Sequence, residues 1–154
     1  MKHDDYLDFV LYLERDIVRG IPSILTGGIA VGLYAVPRST GDVDLIVKAK
    51  RGWKGLSEFS LALLRAGFVE DQRKDHFLVD TYIRRFRMGK WKVDVHEVEG
   101  REFGRLLRNS VQFSWRGNRV FVISRFDLIE LKVLRGNYQD LADVKNLYGR
   151  GLQC

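Results

Sequence analysis

The chain has 154 residues, 45% of them hydrophobic and 30% charged, with a formal net charge of +6. That is the size and balance of one globular domain able to bury a core unaided, and no apolar run approaches the ~20 residues that span a bilayer. Its one cysteine, Cys154, is the last residue, which excludes an internal disulfide framework and a thiolate zinc cluster. The N-terminal residues mix Asp and Glu into a helical pattern where a secretory signal needs a basic region and a pure apolar core. The expectation is a cytoplasmic protein with no membrane partner, one domain over 1–154. The positive charge suits a polyanionic partner such as nucleotide, RNA or an acidic protein surface.

In chain order, Tyr6, Val10, Leu13 and Ile17 recur at helical spacing ahead of Gly20 and Pro22, predicting an amphipathic helix over 4–19. "SILTGG" predicts a short strand meeting a glycine turn. Ile29 to Ala35 predicts a short buried helix stopped by Pro37, since helix is disfavoured at the residue before proline. "DVDLIVK" alternates into a β-branched run and predicts a second strand. Residues 53–66 repeat apolar positions at three and four, with Gly67 placed as a C-terminal cap. "FLVDTYIRRFRMGKWKVDVHEV", from Phe77 to Val98, predicts two long strands joined near Met88 and Gly89, and "VQFSWRGNRVFVI" a hairpin turning at Gly117 and Asn118. Ser124 with Asp127, and Asn137 with Asp140, are capping signatures for two closing helices, to Arg135 and to about Tyr148.

Asp42 and Asp44 stand two apart, so on a strand they share a face, their Cα atoms about 6.5–7 Å apart. Two carboxylates brought to about 4 Å repel by about 4 kcal/mol at an effective dielectric near 20. A cation must compensate. Arg38 and Lys48 are near in sequence, and a hard divalent ion is the usual partner where carboxylates converge without thiol or histidine. One element earlier, Gly27 and Gly28 sit where a strand turns into a helix, an arrangement that lets backbone N–H groups approach an anion such as a triphosphate. The stretch has neither the Lys-Ser/Thr of a phosphate-binding P-loop nor the spacing of the dinucleotide fingerprint.

Gly-Gly, thirteen residues and then Asp-Val-Asp-Leu resembles the signature of the DNA polymerase beta-like nucleotidyltransferase superfamily. "RSTGDVD" from Arg38, "DLIELK" from Asp127 to Lys132 and "DLAD" from Asp140 to Asp143 are similar to motifs of its minimal and AbiEii-type, toxin-related members. The resemblance implies an α+β nucleotidyltransferase fold: a small mixed β-sheet packed with helices, closed by a C-terminal helix pair. It also implies a catalytic and metal-binding set of Asp42, Asp44 and, on a later strand, Asp94, holding two Mg²⁺ or Mn²⁺ ions. In a two-metal transfer these ions grip the nucleoside triphosphate and lower the pKa of the acceptor hydroxyl. Gly27 and Gly28 would cradle the β- and γ-phosphates, Ser39 or Thr40 would hydrogen-bond a phosphate or pin the loop, and Lys132 would stabilise the leaving pyrophosphate.

The implied activity moves a nucleoside monophosphate to an acceptor, RNA or protein among the candidates. Two alternatives stand beside it: a non-catalytic module of the same fold that binds RNA or a protein, and a toxin modifying tRNA or a protein, paired with an antitoxin. Strand alternation places His96 on the face of Asp94, opposite Trp91, Val93 and Val95. Asp127 and Asp140 are explained by capping, and Asp143 by a helix surface. The run Arg84 to Lys92 interleaves five cations with aromatics, as single-strand binders do and as a solvated hairpin also does.

Overall fold

The computed structural model describes residues 3–53, 55–78 and 81–151; Cys154 lies outside them. Helix α1 (His3–Tyr12) carries on through one wider turn, Leu13–Ile17, in which the Val18 N–H reaches back to the Leu13 carbonyl. Next come β1 (Ile24–Thr26), α2 (Gly27–Tyr34), β2 (Val43–Lys48), α3 (Glu58–Arg65), β3 (Val69–Leu78), β4 (Thr81–Met88) and β5 (Trp91–Val98). Then follow α4 (Gly100–Asn109), β6 (Val111–Trp115), β7 (Asn118–Val122), α5 (Arg125–Arg135) and α6 (Tyr138–Gly151). The strands form one mixed sheet in the order β3-β4-β5-β2-β1-β7-β6, with β2 parallel to β5, β1 parallel to β7 and every other pair antiparallel.

Helices cover both faces. On β5, Val93 and Val95 point into the core beneath α1, where Phe9 stacks on Trp91 with ring centroids 4.1 Å apart. The alternate residues of the same strands, Ile46, His96 and Val98, face α4 and α5. β2 is therefore buried on both sides past Asp44: Leu45, Ile46 and Val47 are each 1% exposed. The face that Asp42 and Asp44 share closes within two residues.

Five local expectations differ from the structure, among them the turn between β4 and β5, which lies at Gly89 and Lys90 and not at Met88 and Gly89. The third helix begins at Glu58 instead of residue 53, because Gly52 and Gly55 hold left-handed φ angles of +74° and +91° and Ser57 caps the helix by accepting from the Ser60 N–H. Strand β3 is an addition; its charged run shows no apolar alternation because it pairs only with β4, at the sheet edge. Helix α4 is a second addition, its pattern obscured by Gly100 and Gly104 although Phe103 and Leu106 are buried at helical spacing. The last hairpin turns at Arg116 and Gly117, one residue early. Both have positive φ, +49° and +76°, the requirement of a type I′ turn.

The closing helices start where their caps stand. The Ser124 hydroxyl accepts from the Asp127 N–H, the Asn137 side chain accepts from the Asp140 N–H, and Gly136 separates the helices at φ +66°. Among the described residues no helix is long and apolar enough to cross a membrane.

Candidate functional site

Four strands contribute one row of residues. Thr26 on β1 lies opposite Asp44 on β2, Asp44 lies level with Asp94 on the parallel strand β5, and Asp94 lies opposite Arg85 on β4. Asp42 stands just before β2 and completes the group. The two aspartates are level across a parallel pair, which places their carboxylates together without any long side chain reaching.

The cation at this cluster is Arg85. Its Nε and Nη2 donate to Asp94 Oδ1 and Oδ2 at 2.7 and 2.9 Å, and Nη2 also donates to Asp42 Oδ2 at 3.2 Å. Forked, charge-assisted hydrogen bonds of this kind are among the strongest a side chain makes. They push the guanidinium pKa further up. Burial, and then the nearby Asp94 carboxylate, hold the Asp42 carboxyl above its ordinary range, with Arg85 acting the other way. His96 Nε2 lies 3.0 Å from Asp44 Oδ1. All three carboxylates are thus engaged by nitrogen groups of this chain.

The nearer cations in sequence are committed elsewhere. Arg38 forks Asp143 on α6, Nε to Oδ1 at 2.7 Å and Nη2 to Oδ2 at 2.8 Å, and Lys48 runs alongside Gly100. Lys132, on α5, is buried, with its Nζ 2.8 Å from Asp143 and 3.3 Å from Asp140. Asp143 is likewise buried, not on a helix surface. Burial pushes its carboxyl up, but hydrogen bonds from Arg38 and Lys132 outweigh this and hold it below its ordinary value. The Asp140 and Asp127 carboxylates also do more than the expected capping, Asp140 accepting from Lys132 and Asp127 from Arg105 and Asn109 on α4. In the basic run, Arg84 turns inward to Glu97 and Glu70, so it is not a wholly solvated hairpin.

The glycine pair opens α2. Gly27 has φ +69°, and a methyl group built there would overlap Asp44, 2.6 Å from its Cγ and 2.8 Å from its Cβ. The helix start and the carboxylate strand touch because residue 27 has no side chain. At Gly28 a methyl would meet Thr40 Oγ1 at 3.0 Å and the Arg38 guanidinium nitrogens at 3.1 Å, so the loop carrying Ser39 and Thr40 lies over the first turn of α2. Tyr6 pins that loop by donating to the Thr40 carbonyl. Thr26, the residue before the helix, makes no side-chain cap, which leaves the first N–H groups of α2 without that partner. Beside this end, under α4 and α5, a mostly apolar cavity of about 280 Å³ is lined in part by Gly27, His96 and Lys132.

Three carboxylates are hard oxygen donors of the kind Mg²⁺ and Mn²⁺ prefer. As arranged they do not fit such an ion, since the guanidinium already bridges Asp42 and Asp94. Among the described residues no group of three or more His, Cys, Asp and Glu side chains is disposed around a metal position.

No protein-family model and no curated protein matches the chain. Solved structures do. A candidate nucleotidyltransferase from Thermotoga maritima superposes with a TM-score of 0.64 at 12% identity, over 97% of this chain and 96% of that one. ANT(2")-Ia, solved in complex with adenylyl-2"-tobramycin, superposes with a TM-score of 0.54 at 15% identity, over 96% and 88% of the two chains. The chain has the nucleotidyltransferase fold. In that fold the site residues come from β1, α2, β2, β4 and β5, and the C-terminal helix pair braces the loop that bears Ser39 and Thr40 through Arg38.

Arg85 is the residue that sequence reasoning missed. Its signal was the hairpin turn: a turn at Met88 and Gly89 pairs Asp94 with Ile83, whereas the actual two-residue turn at Gly89 and Lys90 pairs it with Arg85. The Asp143 cluster had no comparable signal, because it joins residues 105 positions apart.

Proposed function

We propose that the protein is a nucleotidyltransferase that moves a nucleoside monophosphate from a triphosphate to an acceptor hydroxyl or phosphate and releases pyrophosphate. One observation carries the reading: the level pair Asp44 and Asp94 stands in contact with a glycine-opened, uncapped helix start. Anion-binding N–H groups and a carboxylate cluster then meet at one place, as transfer from a triphosphate requires.

The N–H groups at the start of α2 take the β- and γ-phosphates, with Thr40 or Ser39 and the Arg38 guanidinium closing over them from the loop. Lys132 adds positive charge from the cavity side. The acceptor oxygen forms its bond to the α-phosphorus as the bond from that phosphorus to the bridging oxygen breaks. The acceptor's proton leaves to the carboxylate cluster. Mg²⁺ or Mn²⁺ would supply charge neutralisation to the phosphates. The motif runs from Arg38 to Asp44 and from Asp127 to Lys132 support placing the chain near the minimal and AbiEii-type members. An antitoxin partner, with RNA or protein as acceptor, belongs to that finer reading.

The test incubates the protein with each labelled nucleoside triphosphate, Mg²⁺ or Mn²⁺ and a cell extract, beside the Asp42→Asn/Asp44→Asn variant. Label transfer by the native protein alone is expected. Equal label in both, or none in either, refutes the reading. The Arg85 fork favours one second reading, a non-catalytic module of this fold that binds RNA or a protein. Such a module shows no rise in melting temperature with Mn²⁺ and nucleotide, whereas a ligand at a hundred times its Kd adds about 2.7 kcal/mol.

A further inference from the structure

Asp42 and Asp94 share one guanidinium, and the sheet builds it into place. Arg85 is set opposite Asp94 by the β4–β5 register, and Asp94 is level with Asp44 by the β5–β2 register. The position that draws on both Asp42 and Asp94 is the one a cation gains most from, and Arg85 remains charged at every working pH. A divalent ion bridging Asp42 and Asp94 would draw on the same carboxylates, because a hard cation takes oxygen donors at about 2.0–2.6 Å. Asp94 already gives both carboxylate oxygens to the guanidinium, and Asp42 gives it Oδ2.

We propose that Arg85 is the resident cation of this cluster and, by holding the Asp42 and Asp94 oxygens, keeps divalent metal off them. Asp71, the acidic partner on the neighbouring strand, is engaged by Arg87 at 3.8 Å. Among the described residues no other acidic side chain on that strand draws the guanidinium off the fork. The inference deepens the transfer reading and rests on it for the role of the three carboxylates.

The experiment measures Mn²⁺ binding to the full chain without nucleotide, from the electron paramagnetic resonance signal of free Mn²⁺, for native protein, Arg85→Gln, Arg85→Lys and Arg85→Gln/Asp94→Asn. Arg85→Gln is expected to bind Mn²⁺ at least tenfold more tightly than native protein, and Asp94→Asn to abolish the gain. Arg85→Lys, a point charge without the fork, is expected to lie between them. Equal or weaker binding by Arg85→Gln, including no binding by either protein, overturns the proposal. If circular dichroism shows Arg85→Gln unfolded, Arg85→Lys decides, with tighter binding than native expected and equal binding refuting. Native protein that transfers label while Arg85→Gln gains no Mn²⁺ removes this inference and leaves the transfer reading standing; the reverse pattern does the opposite.

Discussion

Replacing Gly27 with alanine separates the contact between α2 and β2 from the general cost of altering a helix start. An L residue held at a left-handed φ of +69° loses roughly 1–2 kcal/mol. The added methyl also meets Asp44, and not only at its carboxylate tip: its Cβ lies 2.8 Å away, so no rotamer of Asp44 clears the space. Overpacking of this kind costs about 1–3 kcal/mol, giving roughly 2–5 kcal/mol in all. At about 2–4 °C per kcal/mol for a chain of this size, the melting temperature should fall by roughly 4–20 °C. Gly28→Ala is the matched control. Its methyl meets only the flexible ends of Thr40 and Arg38 at 3.0–3.1 Å, and alanine gains about 0.5–1 kcal/mol of helix preference over glycine. Thermal unfolding followed by circular dichroism should show Gly28→Ala within a few degrees of native. A Gly27→Ala protein that melts no lower than Gly28→Ala refutes the claim that residue 27 is glycine because of Asp44.

Burial pushes the Glu14 carboxyl up to about 7 from an ordinary 4.5, so the folded chain holds this proton more tightly than the unfolded chain does. Stability must therefore fall as pH rises from about 4.5 to about 7 and level off above it. With the part of the group that stays in water discounted, Glu14→Gln should gain about 1–2 kcal/mol over native at pH 8 and nothing near pH 4, as read from urea midpoints; an equal gain at both pH values contradicts this. Asp143→Ala leaves Arg38 without its fork and Lys132 with Asp140 alone, and should destabilise by about 3 kcal/mol, as removal of one partner from a buried ion pair does. Because the Asp143 carboxyl is held below its ordinary value, native protein keeps this contribution above the usual carboxylate range and loses it as pH falls through the lowered pKa. The gap between native and Asp143→Asn should accordingly narrow in acid.

The legible parts were those written in short range. The caps at Ser124 and Asn137 involve three-residue spacings, and the shared face of Asp42 and Asp44 follows from a period of two. What depended on register between strands was not legible, since one residue at the Gly89–Lys90 turn decides whether Asp94 faces Ile83 or Arg85. Compensation of the carboxylates was sought in Arg38 and Lys48, near in sequence, and came from Arg85 across a hairpin. Strand β3 and helix α4 escaped for different reasons: charge on an edge strand, and glycine inside an amphipathic helix.

The brace between the loop after α2 and the last helix also bears on the order of folding. Asp143 holds Arg38 across 105 residues, and the Asn146 side chain bonds both the N–H and the carbonyl of Val36 across 110. Contacts of such separation form only after a large loop has closed, which is slow and entropically unfavourable. During synthesis α1, β1, α2 and β2 emerge early, yet the loop between α2 and β2 has only the Tyr6 hydrogen bond, and not this brace, until α6 has been made and docked. A chain stalled before residue 143 would carry the glycine pair and the two aspartates with the loop between them unbraced. Bracing of this loop thus arrives at the end of folding, as one of its last cooperative events.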